Sequence, residues 1–177
     1  RLAGLGYAGA NVTAPYKRDV ARLAGARVES VNTLLFAPLR ATSTDAAILD
    51  GLEHEQAVIV GDGGAAAAFR AALPDARVFS RRGEWPPETA GVDLVVNATS
   101  AREEVVVQTA RGQTLIDLPY PDSATAAAAR AAGARVLDGL EVLVAQGAAS
   151  FELWTGEPAP VEVMRRAVGL SDAPPRD

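Results

Sequence analysis

Ala57-Val58-Ile59-Val60-Gly61-Asp62-Gly63-Gly64-Ala65-Ala66 is the stretch that decides the fold. Four apolar residues in succession read as a strand buried on both faces. The glycines after it fit the pattern G-x-G-x-x-G/A, with Ala66 in the third place. In that pattern the first glycine permits a tight turn and the second lets a pyrophosphate approach the backbone. The small third residue lets helix and strand pack closely. Residues 65–73 continue as a helix stopped by Pro74, and the N–H groups at its start face an anion. A bare match is a weak signal, since the same residues also make a ligand-free glycine turn. Its place between a strand and a helix favours dinucleotide binding through Gly61, Gly63, Gly64 and Ala65.

Outward from this turn the rhythm repeats. Arg77-Val78-Phe79-Ser80 is a second strand, Val92-Asp93-Leu94-Val95-Val96 a third and Thr114-Leu115-Ile116-Asp117-Leu118 a fourth. An alanine-rich helix over 123–132 is capped by Ser123 and closed by Gly133. A fifth strand covers 134–137. Short apolar runs alternating with helices predict an α/β fold whose parallel sheet is covered on both faces. The connection over 99–113 is too weakly patterned to show whether it holds a helix. At the end of the second strand stand Ser80, Arg81 and Arg82, with no acid until Glu84. NAD sites usually carry a carboxylate there for the ribose 2′-hydroxyl, and NADP sites a cation for the 2′-phosphate. Two guanidiniums, capable of charge-assisted bidentate contacts, point to NADP(H).

Beyond the fifth strand, Leu140, Leu143, Val144, Gly147, Ala148, Phe151 and Trp154 form one stripe of a long helix. Gly139, Val142 and Gln146 lie on a neighbouring face. Pro158 and Pro160 break the chain, residues 161–168 read as a short last helix, and 171–177 as a frayed polar tail.

Only one of the 17 basic residues is a lysine, Lys17, in the string Asn11-Val12-Thr13-Ala14-Pro15-Tyr16-Lys17. Arginine replaces lysine on a solvated surface but not in proton transfer, so a sole lysine is a candidate proton donor or acceptor. There are no cysteines and one histidine, His54, set among polar residues. Disulfides and thiolate metal sites are excluded, a zinc site is disfavoured, and no metal is expected. The net charge of −5 carries no basic block, which argues against nucleic acid as the main partner. No apolar run approaches the roughly 20 residues that span a bilayer.

Several strings in fixed order then carry a resemblance. They are Asn11 to Lys17, Val31-Asn32-Thr33-Leu34, Ser43-Thr44-Asp45, the glycine turn, Asn97-Ala98-Thr99-Ser100, and Asp138-Gly139-Leu140 through Gln146 to Trp154-Thr155-Gly156. Together they resemble shikimate dehydrogenases, NADP enzymes of aromatic amino-acid (chorismate) biosynthesis. The resemblance implies a cytoplasmic oxidoreductase, in some cases a homodimer, with a substrate domain and a Rossmann-like NADP domain flanking a cleft. It implies Lys17 and Asp45 at the reacting centre, and Asn11, Thr13, Asn32, Asp45, Gln146 and Tyr120 around the substrate. It further implies Asn97 and Thr99 along the cofactor, with Leu118 and Gly139 at its nicotinamide end. Hydride addition to a ketone puts negative charge on oxygen, and an ammonium beside it stabilises that charge and supplies the proton. Amides and hydroxyls suit a polyol, although each lone Asn or Thr alone would read as a turn or cap.

Ser43, Ser80 and Val142 stand where the family more often has Asn, Asn and Met. The family's Ser-x-Ser element, which binds the substrate carboxylate, has no counterpart after Arg1, and the first residue is not Met. The expectation is an internal piece with a partial α/β substrate domain, 1–45, rejoined by helices over 139–170. A doubly wound, Rossmann-like NADP domain over 46–138 lies between. The expected reaction is reversible reduction of 3-dehydroshikimate to shikimate with NADPH. Alternatives are a quinate/shikimate dehydrogenase using NAD, a methylenetetrahydrofolate dehydrogenase-like enzyme, and a non-catalytic nucleotide-binding remnant.

Overall fold

The structure, a computed structural model, describes residues 2–171, so residues 172–177 of the expected tail lie outside the described residues. Its amino-terminal part holds β1 (Gly9–Asn11), α1 (Lys17–Leu23), β2 (Thr33–Phe36) and β3 (Leu39–Thr42). Here β2 pairs antiparallel with both neighbours, in the order β1-β2-β3. The expected strands follow, with helices in two of their four connections: β4 (Ala57–Val60), α2 (Gly64–Ala72), β5 (Arg77–Phe79), β6 (Leu94–Asn97), β7 (Thr114–Asp117), α3 (Ala124–Ala131) and β8 (Arg135–Leu137). These five strands form one parallel sheet, β5-β4-β6-β7-β8. Two helices close the chain, α4 (Gly139–Thr155) and α5 (Val161–Ala167).

The strands alternate strictly between two cores. Val58, Val60, Val95 and Leu115 pack on one face with Phe79 and, from α3, Ala129. Ile59, Leu94, Val96 and Ile116 pack on the other with Ala66 and Phe69 of α2 and Val142 of α4. This period of two, apolar on both sides, is why the strands read as unbroken apolar runs. From β4 the chain steps one way to β5 and returns to the other side for β6. That reversal opens a crevice beyond the carboxyl ends of β4 and β6.

The connection over 99–113 holds no helix. Val106 and Val107 are buried against the Val58 face instead, and the Val106 N–H donates to Thr125 Oγ1 at 3.1 Å. A run of valines, stiff at χ1, suits an extended plug better than a helix.

For α4, the expected single stripe is only part of what is buried. Gly139 and Val142, read as a neighbouring face, are buried, as are Val144, Ala148 and Ser150, while Leu153 is exposed. The helix packs against β7, β2, α5 and the 3-10 turn Ala47–Leu49. Its start meets the parallel sheet through Val142, and its end meets β2, where Trp154 Nε1 donates to the Leu34 carbonyl at 2.9 Å. A helix clasped on two sides buries more than one stripe. Asp138 caps it through the Leu140 and Glu141 N–H groups, and Gly156, at φ 74°, ends it in the left-handed region.

Candidate active site

A cleft of about 720 Å³ opens at the crevice. One wall carries the glycine turn, Thr99, Leu118 and Tyr120; the other carries Pro15 and, from the start of α1, Lys17 and Arg18. Gly61 has φ 128°, and a Cβ there would lie 2.9 Å from the Ala98 carbonyl oxygen, so the turn requires glycine. A Cβ on Gly64 would lie 2.8 Å from Ser30 Oγ, which shows how closely α2 approaches the amino-terminal part. At Gly63 a Cβ would meet nothing within 4 Å. The first N–H groups of a helix have no partner inside it, and among the described residues the N-cap of α2, Gly63, supplies no side-chain cap. They form an anion cradle with the right donors for a pyrophosphate. Arg18, which the sequence reading did not single out, reaches across from α1, its Nη2 donating to the Asp62 carbonyl at 3.0 Å.

A second cleft of about 520 Å³ shares Gly61, Asp62, Arg82 and Thr99 with the first and continues past Ser80, Arg81 and Trp85. Arg81 lies over the Trp85 ring, 5.5 Å from its centroid, and pairs with Glu104 at 2.5 Å. Arg82 pairs with Asp62 at 3.4 Å. Trp85 and Glu104 were not foreseen, and nothing local marks Glu104, since 23 residues separate it from Arg81.

Lys17 belongs both to the cleft and to a buried polar cluster behind it. Its Nζ donates to Asp45 Oδ1 and Oδ2 at 2.8 and 2.7 Å. Asn32 is the hub: its Nδ2 donates to Asp45 Oδ1 at 2.8 Å, Thr44 Oγ1 at 3.0 Å and Gln146 Oε1 at 3.2 Å. Its Oδ1 accepts from the Thr44 N–H at 2.8 Å and Thr33 Oγ1 at 2.9 Å. Asn11 Nδ2 donates to the Asn32 carbonyl at 3.0 Å and to Ser150 Oγ at 3.2 Å. Ser150, in the apolar α4, also bonds Thr33 at 2.9 Å and Thr44 at 3.1 Å. Thr33, Thr44 and Ser150 complete a network the sequence reading had only in part. Nothing beside Ser150 in the chain signals its role.

The other expected residues are placed variously. Thr13 is exposed, and its carbonyl accepts the Tyr16 N–H at 3.1 Å. Tyr120 is exposed at the cleft. Gly139 lets α4 start close under β7, since a Cβ would lie 2.6 Å from the Leu118 carbonyl oxygen. Asn97 is fully buried beneath the cleft; it receives the Thr99 hydroxyl at 2.8 Å and donates to Asp117 Oδ1 at 2.6 Å.

Asp117 is itself buried, and Ser123 Oγ donates to its Oδ2 at 2.7 Å. Burial pushes its carboxyl above the ordinary value, against the lowering influence of the Ser123 and Asn97 hydrogen bonds. Because the folded-state value is raised, the stability linked to this group is fully present below its unfolded pKa. It is lost as pH rises through the folded value. Asp117→Asn removes the titration, so wild type is expected to lose stability relative to this variant between about pH 4 and pH 7. Urea denaturation of both proteins at the two ends of that range checks the slope; a constant difference would show that the burial has no thermodynamic consequence.

Comparison with known proteins follows the same outline. The sequence profile of the shikimate 5′-dehydrogenase C-terminal domain matches residues 139–168. The chain is 33% identical over 211 residues to a shikimate dehydrogenase (NADP(+)) of Methanocella arvoryzae, covering 92% of this chain and 78% of that one. To the protein of the same name from Moorella thermoacetica it is 34% identical over 235 residues, covering 98% and 80%. Among solved structures, the shikimate 5-dehydrogenase of Thermus thermophilus in complex with NADP(H) and shikimate superposes with a TM-score of 0.72. It is 26% identical, covering 90% of this chain and 77% of that one.

Proposed function

The chain belongs to the shikimate dehydrogenase family, and on that footing we propose that it interconverts 3-dehydroshikimate and shikimate with NADP(H). One observation carries the reading: the only lysine of the chain lines the cleft facing the glycine turn, its ammonium held by the buried carboxylate of Asp45. The residues present suit the cofactor. The uncapped start of α2 with Gly61, Gly63, Gly64 and Ala65 would hold the pyrophosphate, with Asn97 shaping the neighbouring loop through Thr99. Ser80, Arg81 and Arg82 would hold the adenosine end, and Leu118 and Gly139 would border the nicotinamide end. When bound, the cofactor supplies or accepts the hydride.

The protein's own part is proton transfer and positioning. Lys17 Nζ stands to stabilise the developing oxyanion and deliver a proton to it. Asp45 and Asn32 fix the ammonium before any substrate arrives, which spares reorganisation during reaction. Asn11, Thr13, Asn32, Gln146 and Tyr120 offer neutral donors and acceptors for ring hydroxyls.

The test is an assay with 3-dehydroshikimate and 3-dehydroquinate, each with NADPH and NADH, on wild type and Arg81→Ala. We expect turnover of 3-dehydroshikimate with NADPH. We expect Arg81→Ala to weaken NADPH by about tenfold and NADH little, the exposed guanidinium holding the effect below that of a desolvated contact. Preference for 3-dehydroquinate with NADH would favour the quinate reading. Binding of NADPH without turnover of either ring would favour the non-catalytic one.

A further inference from the structure

The end of β5 carries no acid in sequence, yet the fold brings one there. Glu104 Oε1 accepts from Arg81 Nη2 at 2.5 Å, and both residues line the second cleft with Ser80, Arg82 and Trp85. Trp85 holds the same guanidinium from another side through its ring. The position of Glu104 is built into the segment. Its carbonyl accepts from Thr125 Oγ1 at 3.3 Å, and Val106 and Val107 just after it are buried against the sheet. The carboxylate itself is half exposed.

We propose that Glu104 is a residue that sets cofactor selectivity, holding Arg81 against a 2′-phosphate and accepting the ribose 2′-hydroxyl of a dinucleotide without one. This rests on the reading that the second cleft receives the adenosine end of the cofactor. A carboxylate accepts hydrogen bonds and donates none, so it matches a ribose hydroxyl and repels a phosphate. The guanidinium fork has a limited set of donors, and a 2′-phosphate must take them from Glu104. An exposed pair of this kind is weak. Glu104 therefore tempers the preference that Arg81 and Arg82 create and does not reverse it.

The experiment titrates wild type, Glu104→Gln, Glu103→Gln and Arg81→Ala with NADPH, NADH, adenosine 2′,5′-bisphosphate and 5′-AMP. Glu104→Gln keeps the side-chain shape at an exposed position and leaves the backbone bond to Thr125 in place. It is expected to tighten NADPH and the bisphosphate by roughly twofold to fivefold, with NADH and 5′-AMP unchanged or weaker. Glu103→Gln, which removes the same charge one residue away, is expected to move none of them. An unchanged NADPH-to-NADH ratio in Glu104→Gln, equal tightening of both, or the same gain from Glu103→Gln each overturns the proposal. Should Arg81→Ala lose NADPH affinity while Glu104→Gln changes nothing, the inference fails and the cofactor reading stands. Should wild type bind no NADPH, or Arg81→Ala bind it undiminished, the reading of this cleft fails and takes the inference with it.

Discussion

Replacing Lys17 with alanine is expected to lower kcat by about 10²–10⁴-fold, the usual contribution of a positioned general acid or base. The cofactor Kd should stay close to that of wild type, since the glycine turn and the arginine end of the cleft are untouched. The reason is geometric. Lys17 Nζ is held by both oxygens of Asp45, a carboxylate only 4% exposed, which in turn is bonded by Asn32. The ammonium thus meets the cleft in a fixed place, and on the proposed reading its interaction with substrate oxygen would strengthen only as charge develops there. Such a loss appears in kcat and kcat/KM together. Lys17→Arg keeps the ion pair with Asp45 within reach but offers a cation that does not give up its proton, so it should not rescue. Steady-state rates with 3-dehydroshikimate and NADPH decide the matter. Near-full turnover by the arginine variant would sink proton transfer as the role of Lys17.

Asn32→Ala is expected to cost about 3–5 kcal/mol of stability, among the largest effects of a single polar truncation. The amide is 3% exposed, and its removal strands groups that water does not readily reach. The Thr44 N–H loses the Oδ1 it donates to at 2.8 Å, and Asp45 Oδ1 loses a donor at 2.8 Å. Gln146 Oε1 loses a partner at 3.2 Å, and with it a side-chain tie between α4 and the amino-terminal part. Each stranded buried group costs about 1–3 kcal/mol, and the sum is less than additive because the cluster is one network. Against a typical stability of about 5–15 kcal/mol this is a large share. Chemical denaturation with and without saturating NADPH measures it. A cost under about 1 kcal/mol would mean that water replaces the amide, and that the cluster is looser than its distances suggest.

These two positions show how differently the chain reveals its parts. Lys17 stands out in the sequence because it is the only lysine, and proton chemistry separates lysine from arginine. Asn32 inside Val31-Asn32-Thr33 reads alone as a turn residue; only the ordered strings around it gave it meaning. Ser150, bonded to Asn11, Thr33 and Thr44, had no such string and went unseen. Glu104 lay in the segment whose pattern was too weak to read.

By itself the sequence determined the parallel sheet, the turn Gly61 to Ala66 and the basic pair at the end of β5. Each of these is a local property. Burial on both faces makes a strand apolar throughout, a φ of 128° beside the Ala98 carbonyl demands glycine, and a strand end carries whatever residues follow it. The ordered strings implied that several of these polar groups share a site, but tertiary structure alone decided which of them bond directly and through which atoms. Lys17 and Asp45 are 28 positions apart, Asn32 and Gln146 are 114 apart, and Asn11 and Ser150 are 139 apart. It also decided that α4 is buried on more than one side, because the helix lies between the two sheets it joins. Backbone preference is set within a few residues along the chain. A hydrogen bond needs two groups within about 3 Å in space, a condition that only the folded chain meets.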